Sequence, residues 1–199
     1  MTFSQTYLEE CSKIIDKIDC SKIEDIVNTI SELKEIKGRI FFLGVGGSAG
    51  NASHAVNDFR KIVGIECYAP TDNVSELTAR TNDDGWETIF SEWLKTSKLN
   101  KNDLIFILSV GGGNLKKNIS PNLVNAVKYA DSVGSKICGI IGKEEGYVNQ
   151  ISKNVLVIPP INHERITPHS EAFQAVIWHL IVSHPKLKQH QTKWESEKK

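Results

Sequence analysis

The fold is decided by residues 39–51, which read RIFFLGVGGSAGN. A short apolar run from Arg39 to Leu43 meets a glycine-rich turn, as a buried strand does when it passes into a helix. Gly46 and Gly47 let the backbone approach a ligand closely, and Ser48 is predicted to open the helix that follows. Because the N-terminal amides and dipole of a helix favour an anion or a polar sugar, the stretch predicts a ligand at this turn.

Four further apolar runs predict the other strands, at residues 65–69, 104–109, 136–141 and 154–159. Helical patterns separate them, at residues 86–94, 121–133 and 170–182. Strands that alternate with helices indicate right-handed βαβ units. The sequence therefore predicts an α/β fold, in which helices cover both faces of a five-stranded parallel sheet.

Two amphipathic helices are predicted before the first strand, within residues 1–36, and Ser21 is expected to cap the second. Since the crossover helices already cover the sheet, a subunit interface is the expected destination of their apolar stripes. Residues 186–199 form a polar tail. Residues 1–199 together are expected to form a single domain.

Composition excludes several classes of protein. The 24 basic and 24 acidic side chains balance, which argues against a broad nucleic-acid surface. The first residues lack the features of a signal peptide, and no apolar run approaches the roughly 18 residues needed to cross a bilayer. A soluble, cytoplasmic protein without membrane or nucleic-acid partners is expected. Its four scattered cysteines are expected to be reduced and mostly buried: Cys11, Cys20, Cys67 and Cys138.

A second glycine-rich turn, residues 109–114, follows the third strand. Its three consecutive glycines leave backbone N–H groups free to form an anion-binding concavity. Ligands of open parallel sheets bind outside the carboxyl ends of the strands, where both turns are expected to lie. Either turn alone could be a tight βα connection without a ligand, but two such turns with Ser or Asn favour a binding site.

Nicotinamide binding is an alternative for the first turn. Gly44-x-Gly46-x-x-Ala49 formally matches the dinucleotide fingerprint. That fingerprint requires an acidic residue at the end of the second strand, where this chain reads Tyr68-Ala69-Pro70-Thr71. The fingerprint is therefore incomplete, which disfavours a dinucleotide at this turn.

Four polar groups on two predicted helices are the candidate chemical groups. His54 and Asp58 are four residues apart and share a helix face, while Glu171 and His179 lie on an otherwise apolar helix. If the two helices meet, the four groups can bind Zn²⁺ or supply an acid and a base. A structural hydrogen-bond network or ordinary surface polarity is the alternative. The other histidines are expected to face solvent, with His169 as the one to watch because it begins the Glu171 helix: His163, His169, His184 and His190.

The order of these motifs resembles the sedoheptulose-7-phosphate isomerases, which are phosphoheptose isomerases of the SIS (sugar isomerase) superfamily. The shared order is Gly-x-Gly-Gly-Ser, a helix histidine, Asn82-Asp83-x-Gly85, a Gly loop that begins with Ser, and Glu…His on the last helix. The resemblance implies an SIS-type fold and a homotetramer. It also implies conversion of sedoheptulose 7-phosphate to D-glycero-heptose 7-phosphate, the first step toward nucleotide-activated heptose for lipopolysaccharide or capsule.

The resemblance also implies roles for individual residues. Asp58 and His179 would be the proton-transferring pair of an enediol mechanism. One zinc ion per site would be held by His54, Asp58, Glu171 and His179. The residues implied to contact the substrate are Gly46, Gly47, Ser48, Asn51, Asp83, Ser109, Gly111, Gly112, Gly113, Asn114 and Glu171.

The chain departs from the family pattern at the second turn. Val110, Gly111 and Gly112 replace hydroxyl residues of the family's phosphate loop. Backbone amides, Asn114 and a lysine at position 116 or 117 would have to hold the phosphate instead. Asp58 is one methylene shorter than the family's glutamate. These losses keep a second hypothesis open, in which the fold is retained as a non-catalytic module that binds a sugar phosphate or a protein.

Overall fold

The computed structural model describes residues 1–197 and contains a five-stranded, all-parallel sheet in the order β2-β1-β3-β4-β5. This confirms the predicted α/β fold. The strands are β1 (Ile40–Leu43), β2 (Cys67–Tyr68), β3 (Leu104–Ser109), β4 (Lys136–Ile141) and β5 (Val155–Val157). The central strand β3 has its predicted bounds, whereas β2 and β5 are shorter than predicted because they lie at the edges and pair on one side only. Residues 198 and 199 of the predicted tail lie outside the described residues.

The helices before β3 are α1 (Phe3–Lys17), α2 (Cys20–Glu35), α3 (Gly47–Asp58), α4 (Val74–Asp83) and α5 (Ile89–Thr96). The later helices are α6 (Pro121–Ser132), α7 (Tyr147–Ile151), α8 (Ile166–Ser183) and α9 (Lys193–Ser196). Two predicted helix starts are wrong. Asp19 rather than Ser21 caps α2, since its carboxylate accepts from the Ser21 amide, and α3 begins at Gly47 rather than Ser48.

Alternate residues of the strands feed two separate cores, one on each face of the sheet. On one face, Phe42 and Phe106 stack at 5.1 Å and pack beneath α2, α3 and α8. On the other face, Phe41 and Ile107 pack beneath α5 and α6. This alternation fixes α3 and α8 on the same face as neighbours, which brings their polar residues together.

The two leading helices have different environments. The apolar stripe of α2, from Ile23 to Leu33, is buried in the first core, so the expectation that it is reserved for a subunit interface is wrong. In contrast, α1 buries Ile14 and Glu10 but leaves Leu8 and Ile15 more than 60% exposed. Within residues 1–197, none of the helices is both long enough and apolar enough to cross a membrane.

Candidate active site

Helices α3 and α8 lie side by side and run in the same direction, so successive residues of α3 contact successive residues of α8. Gly47, the first residue of α3, meets Glu171 in the second turn of α8. One turn later the Asn51 amide donates to the Glu171 carbonyl oxygen at 2.9 Å and to Gln174 Oε1 at 3.0 Å. Further along, the His54 ring packs at 4.7 Å against the ring of Trp178. The two helices therefore form a continuous seam, and residues spaced along it meet in pairs.

Two imidazoles and one carboxylate meet on this seam, and we call them the seam cluster: His54, Asp58 and His179. Nε2 of His179 lies 3.7 Å from Asp58 Oδ2, and Nε2 of His54 lies 3.9 Å from the same oxygen. The Asp58 side chain is 14% exposed, while the two histidine side chains are about half exposed. A nearly buried carboxylate thus faces two imidazoles that remain open to solvent.

Neighbouring residues orient each member of the seam cluster. The Asn57 amide donates to Asp58 Oδ1 at 2.8 Å, which leaves Oδ2 directed at the imidazoles. Nδ1 of His179 lies 2.7 Å from the Ala175 carbonyl oxygen and must donate to it, since a carbonyl only accepts. Nε2 of a neutral His179 therefore presents a lone pair to Asp58. The buried Trp178 stacks on the His179 ring at 3.5 Å and holds its plane.

This arrangement fits a cation. A lone pair and a carboxylate oxygen that face each other have no hydrogen to share, so a proton or a metal ion is the natural bridge. One ligand atom from each residue of the seam cluster lies within 4.8 Å of the others. Tetrahedral zinc separates its ligand atoms by about 3.3 Å, so only a small side-chain movement is needed. Three protein ligands would leave a fourth position for a substrate oxygen, as in catalytic zinc sites.

Glu171 does not belong to the seam cluster, so the prediction that four groups converge is wrong for this residue. Glu171 precedes His179 by eight residues, which is about 12 Å along a helix axis. Its carboxylate instead lies over Gly47 at the first turn of α3. Helical spacing put the two residues near one face, but it could not place them at the same height.

A cavity of about 370 Å³ lies at the carboxyl edge of the sheet, between the two glycine-rich turns. Ser48, from the first turn, is 1% exposed, and its Oγ has no hydrogen-bond partner within the described residues. A buried hydroxyl without a partner is costly, so it marks a place where a ligand can bond. The predicted substrate contacts that line this cavity are Ser48, Ser109, Gly111, Gly113 and Asn114.

Two lysines also line the cavity, Lys117 and Lys143. Lys117 is one of the two lysines that the sequence offered for the phosphate, whereas Lys116 does not line the cavity. Lys143 was missed, although the sequence carried a signal. It is the first charged residue after β4, and the carboxyl end of β4 lies beside that of β3 in this sheet. The cavity therefore combines free backbone N–H groups with two cations, which suits a phosphate.

Other predicted substrate contacts lie outside the cavity lining. Gly112 turns inward, and its N–H donates to Ser109 Oγ at 3.0 Å. Asn51 bonds within the seam between α3 and α8. Asp83 is exposed as the last residue of α4 and accepts from Asn82 at 2.8 Å. Gly46 is the N-cap residue of α3, with a φ of 64° and open space where a Cβ would lie. Val45 before it and Ser48 after it both line the cavity.

Two expectations about histidines and thiols need correction. His169 is 3% exposed, because it packs between α1 and α8 instead of facing solvent. Cys67 and Cys138 are buried, and burial raises the pKa of each thiol to about 12. Cys20, however, is exposed and Cys11 is half-buried, so the expectation that the thiols are buried is correct for two of the four cysteines.

Comparisons with known proteins identify the family of this chain and agree with its fold. The model of the SIS domain family matches residues 6–142. The phosphoheptose isomerase of Syntrophotalea carbinolica is 28% identical over 186 residues, covering 88% of each chain. That of Campylobacter jejuni is 31% identical over 137 residues, covering 65% of this chain and 68% of the relative. The structure of a phosphoheptose isomerase from Francisella tularensis superposes with a TM-score of 0.76 at 18% identity, covering 91% of this chain and 92% of that one. The resemblance read from the motifs is thereby confirmed, and the chain belongs to the SIS domain family.

Proposed function

We propose that this protein is a phosphosugar isomerase that interconverts sedoheptulose 7-phosphate and D-glycero-heptose 7-phosphate, toward nucleotide-activated heptose. The observation that carries the proposal is the seam cluster, in which Asp58 faces two imidazoles, in a fold that also holds a separate cavity lined by two lysines. The relatives named phosphoheptose isomerase support the substrate class. Lipopolysaccharide and capsule are the expected destinations of the heptose.

The reaction moves a carbonyl between carbons 1 and 2 of the sugar through an enediol. One group takes a proton from one carbon and another returns a proton to its neighbour. Asp58 and His179 are the pair that we assign to these transfers. His179 holds its Nδ1 proton on the Ala175 carbonyl oxygen, so proton exchange takes place at Nε2. Asn57 fixes the Asp58 carboxylate, which keeps Oδ2 available for the same purpose.

We further propose that the seam cluster holds one zinc ion per site, through His54, Asp58 and His179. A metal ion there would polarise the sugar's oxygens and lower the barrier to enediol formation. Nε2 of His179 and Oδ2 of Asp58 cannot bind zinc and exchange protons at the same time, so the two roles are alternatives for these atoms, and metal content and turnover have to be measured together to distinguish them. Full activity in protein shown to be metal-free would reject the zinc and leave the acid–base assignment.

The phosphate is assigned to the cavity between the glycine-rich turns. Lys117 and Lys143 supply positive charge, Ser48 supplies a buried hydroxyl, and Gly111 and Gly113 of the second turn supply backbone amides. These groups replace the hydroxyl side chains that the second turn lacks. None of the seam-cluster residues lines the cavity, so in this proposal separate groups of the protein hold the phosphate and act on the carbonyl end of the sugar.

We also propose a homotetramer in the cytoplasm. On α8, Val176 and Leu180 are 52% and 41% exposed and lie beside His179. On α1, Leu8 and Ile15 are similarly uncovered. Packing of a second copy on α8 would exclude water from the seam cluster, which favours the chemistry. A cytoplasmic location suits a sugar-phosphate substrate and four free cysteines.

The decisive experiment incubates zinc-loaded protein with sedoheptulose 7-phosphate and follows the aldose product by NMR. Turnover that His179→Asn abolishes would support the proposal, and unphosphorylated sedoheptulose should be a poor substrate. No turnover of any C5–C7 ketose phosphate would overturn it. Binding of the sugar phosphate without turnover would indicate the non-catalytic module instead.

A further inference from the structure

A second cluster of reactive side chains lies where α1 meets the start of α8, away from the seam cluster and the cavity. Sγ of Cys11 lies 3.8 Å from Nδ1 of His169. Nε2 of the same imidazole lies 2.8 Å from Oε2 of Glu10. A thiol, an imidazole and a carboxylate are therefore connected in series, in the order of a nucleophile, a base and a group that orients the base.

The carboxylate of this cluster is fixed and ionised. Arg165 donates to both oxygens of Glu10 at 2.8 and 2.9 Å, and Asn162 donates to Oε1 at 2.8 Å. Hydrogen bonds from Arg165, His169 and Asn162 hold the pKa of Glu10 well below its usual range. Because an ionised carboxylate only accepts, Nε2 of His169 must be the donor, and Nδ1 of the neutral ring presents its lone pair to Cys11.

The surroundings keep the imidazole in place. Glu10 and His169 are 6% and 3% exposed, and the Tyr7 ring lies 4.5 Å from the imidazole. Cys11 itself is half-buried, so the residue keeps part of its surface in contact with solvent. Neither the seam cluster nor the cavity uses any of these residues, so the isomerase proposal leaves them unexplained.

We propose that Cys11 is a nucleophilic thiol, activated by His169 and positioned for reaction by Glu10, and that it forms mixed disulfides with low-molecular-weight disulfides. The thiol proton passes to Nδ1 of His169, and the thiolate attacks one sulfur of the disulfide. A new S–S bond forms at Cys11 as the disulfide's own S–S bond breaks. The departing thiolate takes the proton back from His169, so atoms, charge and electrons balance. This inference does not rest on the isomerase activity.

The chain provides internal controls for this proposal. Cys20 is exposed at the start of α2, and it has no imidazole partner among the described residues. Cys67 and Cys138 are buried, and their raised pKa values keep them as thiols. If exposure alone decided reactivity, Cys20 would react first. If the imidazole decides it, the less exposed Cys11 reacts first.

The test treats the full chain with oxidised glutathione at neutral pH and measures modification of each cysteine over time by peptide mass spectrometry. Cys11 should react about tenfold faster than Cys20, and dithiothreitol should reverse the modification. His169→Asn should slow Cys11 to the rate of Cys20 or below and leave Cys20 unchanged. His184→Asn, at another partly buried histidine, is the matched control and should change neither rate.

Two results would overturn the proposal. One is a Cys11 rate no higher than that of Cys20 in the unsubstituted protein. The other is an unchanged Cys11 rate in a folded His169→Asn variant, whose fold circular dichroism would verify. If His169→Asn does not fold, the comparison of Cys11 with Cys20 in the unsubstituted protein decides the question on its own.

Discussion

The carboxylate of Glu171 occupies the space beside Gly47 that a side chain would need, since a Cβ built on Gly47 would lie 2.5 Å from Oε2 of Glu171. Gly47 begins α3, so the negative charge lies at the positive end of that helix dipole. The absence of a side chain at position 47 thus lets a carboxylate lie against the first turn of α3, next to the cavity-lining Ser48. It also sets how closely α8 packs against α3.

Gly47→Ala should therefore push the Glu171 carboxylate aside, which a flexible side-chain end can do at little packing cost, so the loss is that of its interaction with the N-terminus of α3, about 0.3–1 kcal/mol. Gly50→Ala is the matched control in the same helix, because a Cβ at Gly50 would meet nothing within 4 Å. That variant should gain about 0.5–1 kcal/mol from helix propensity. Urea denaturation of both variants checks the prediction, and equal stability of the two would contradict it.

Much of this architecture could be predicted from the sequence because the central strands are buried on both faces. Residues 104–109 and 136–141 are continuous apolar runs, and their predicted bounds match β3 and β4. The predicted edge strands are too long, because their apolar runs continue past the residues that form hydrogen bonds with the neighbouring strand. Helix α4 was missed because its residues are all at least partly exposed and carry no apolar stripe.

The site was less predictable because the pairing of residues across helices and the position of loops are tertiary properties. Spacing placed His54, Asp58 and His179 on helices that can face each other, and the rise of about 12 Å between Glu171 and His179 already argued against the expected convergence of all four groups. Lys143 enters the cavity only because β4 is the neighbour of β3, which the order of strands along the chain does not fix. His169 is buried because α1 packs over it, and the contact between His169 and Glu10 joins residues 159 positions apart, which sequence spacing does not reveal.

His179→Asn should lower kcat by about 10²- to 10⁴-fold, because the variant loses the imidazole that exchanges protons at Nε2. His54→Asn should lower the zinc content of the purified protein as well as its activity. Both side chains are about half exposed, so thermal stability should change little. Stopped assays and elemental analysis provide the measurements.

The exposed His190 is the control for the seam cluster, and His190→Asn should leave kcat and zinc content unchanged. Loss of activity in His190→Asn equal to that in His179→Asn would show that the effect is not specific to the cluster. Retention of full kcat by His179→Asn would remove that residue from the mechanism.

Lys143→Met and Lys117→Met should each raise KM for the sugar phosphate by about tenfold or more, since a hydrogen bond from a charged donor to phosphate is lost. The change in kcat should be smaller, because the lysines line the cavity and not the seam cluster. Lys101→Met is the control, as this exposed residue lies before β3 at the opposite edge of the sheet. Unchanged KM values in both cavity variants would place the phosphate elsewhere.

Asp103 is the buried anchor at the amino ends of β1 and β3. It is 2% exposed and accepts from the Arg39 side chain at 2.7 and 3.0 Å and from Asn100 at 2.8 Å. Asp103→Asn leaves the partly exposed Arg39 without its counter-charge, so the free energy of unfolding should fall by about 1.5–3 kcal/mol. Glu32→Gln breaks an exposed ion pair with Lys136 and should barely shift the urea midpoint. A loss in Asp103→Asn no larger than in Glu32→Gln would contradict this assignment.

Glu10 makes stability depend on pH, and the sign follows from its lowered pKa. Hydrogen bonds from Arg165, His169 and Asn162 favour the ionised form in the folded protein. The unfolded chain therefore binds a proton more readily, and stability from Glu10 is complete above the ordinary pKa of 4.5. As pH falls below 4.5 toward the lower folded pKa, that contribution is lost. Glu10→Gln should melt at a lower temperature than the unsubstituted protein at pH 6, with a gap that narrows between pH 4.5 and pH 3. A gap of constant size across this range would show that Glu10 stabilises the α1–α8 contact by packing instead of charge.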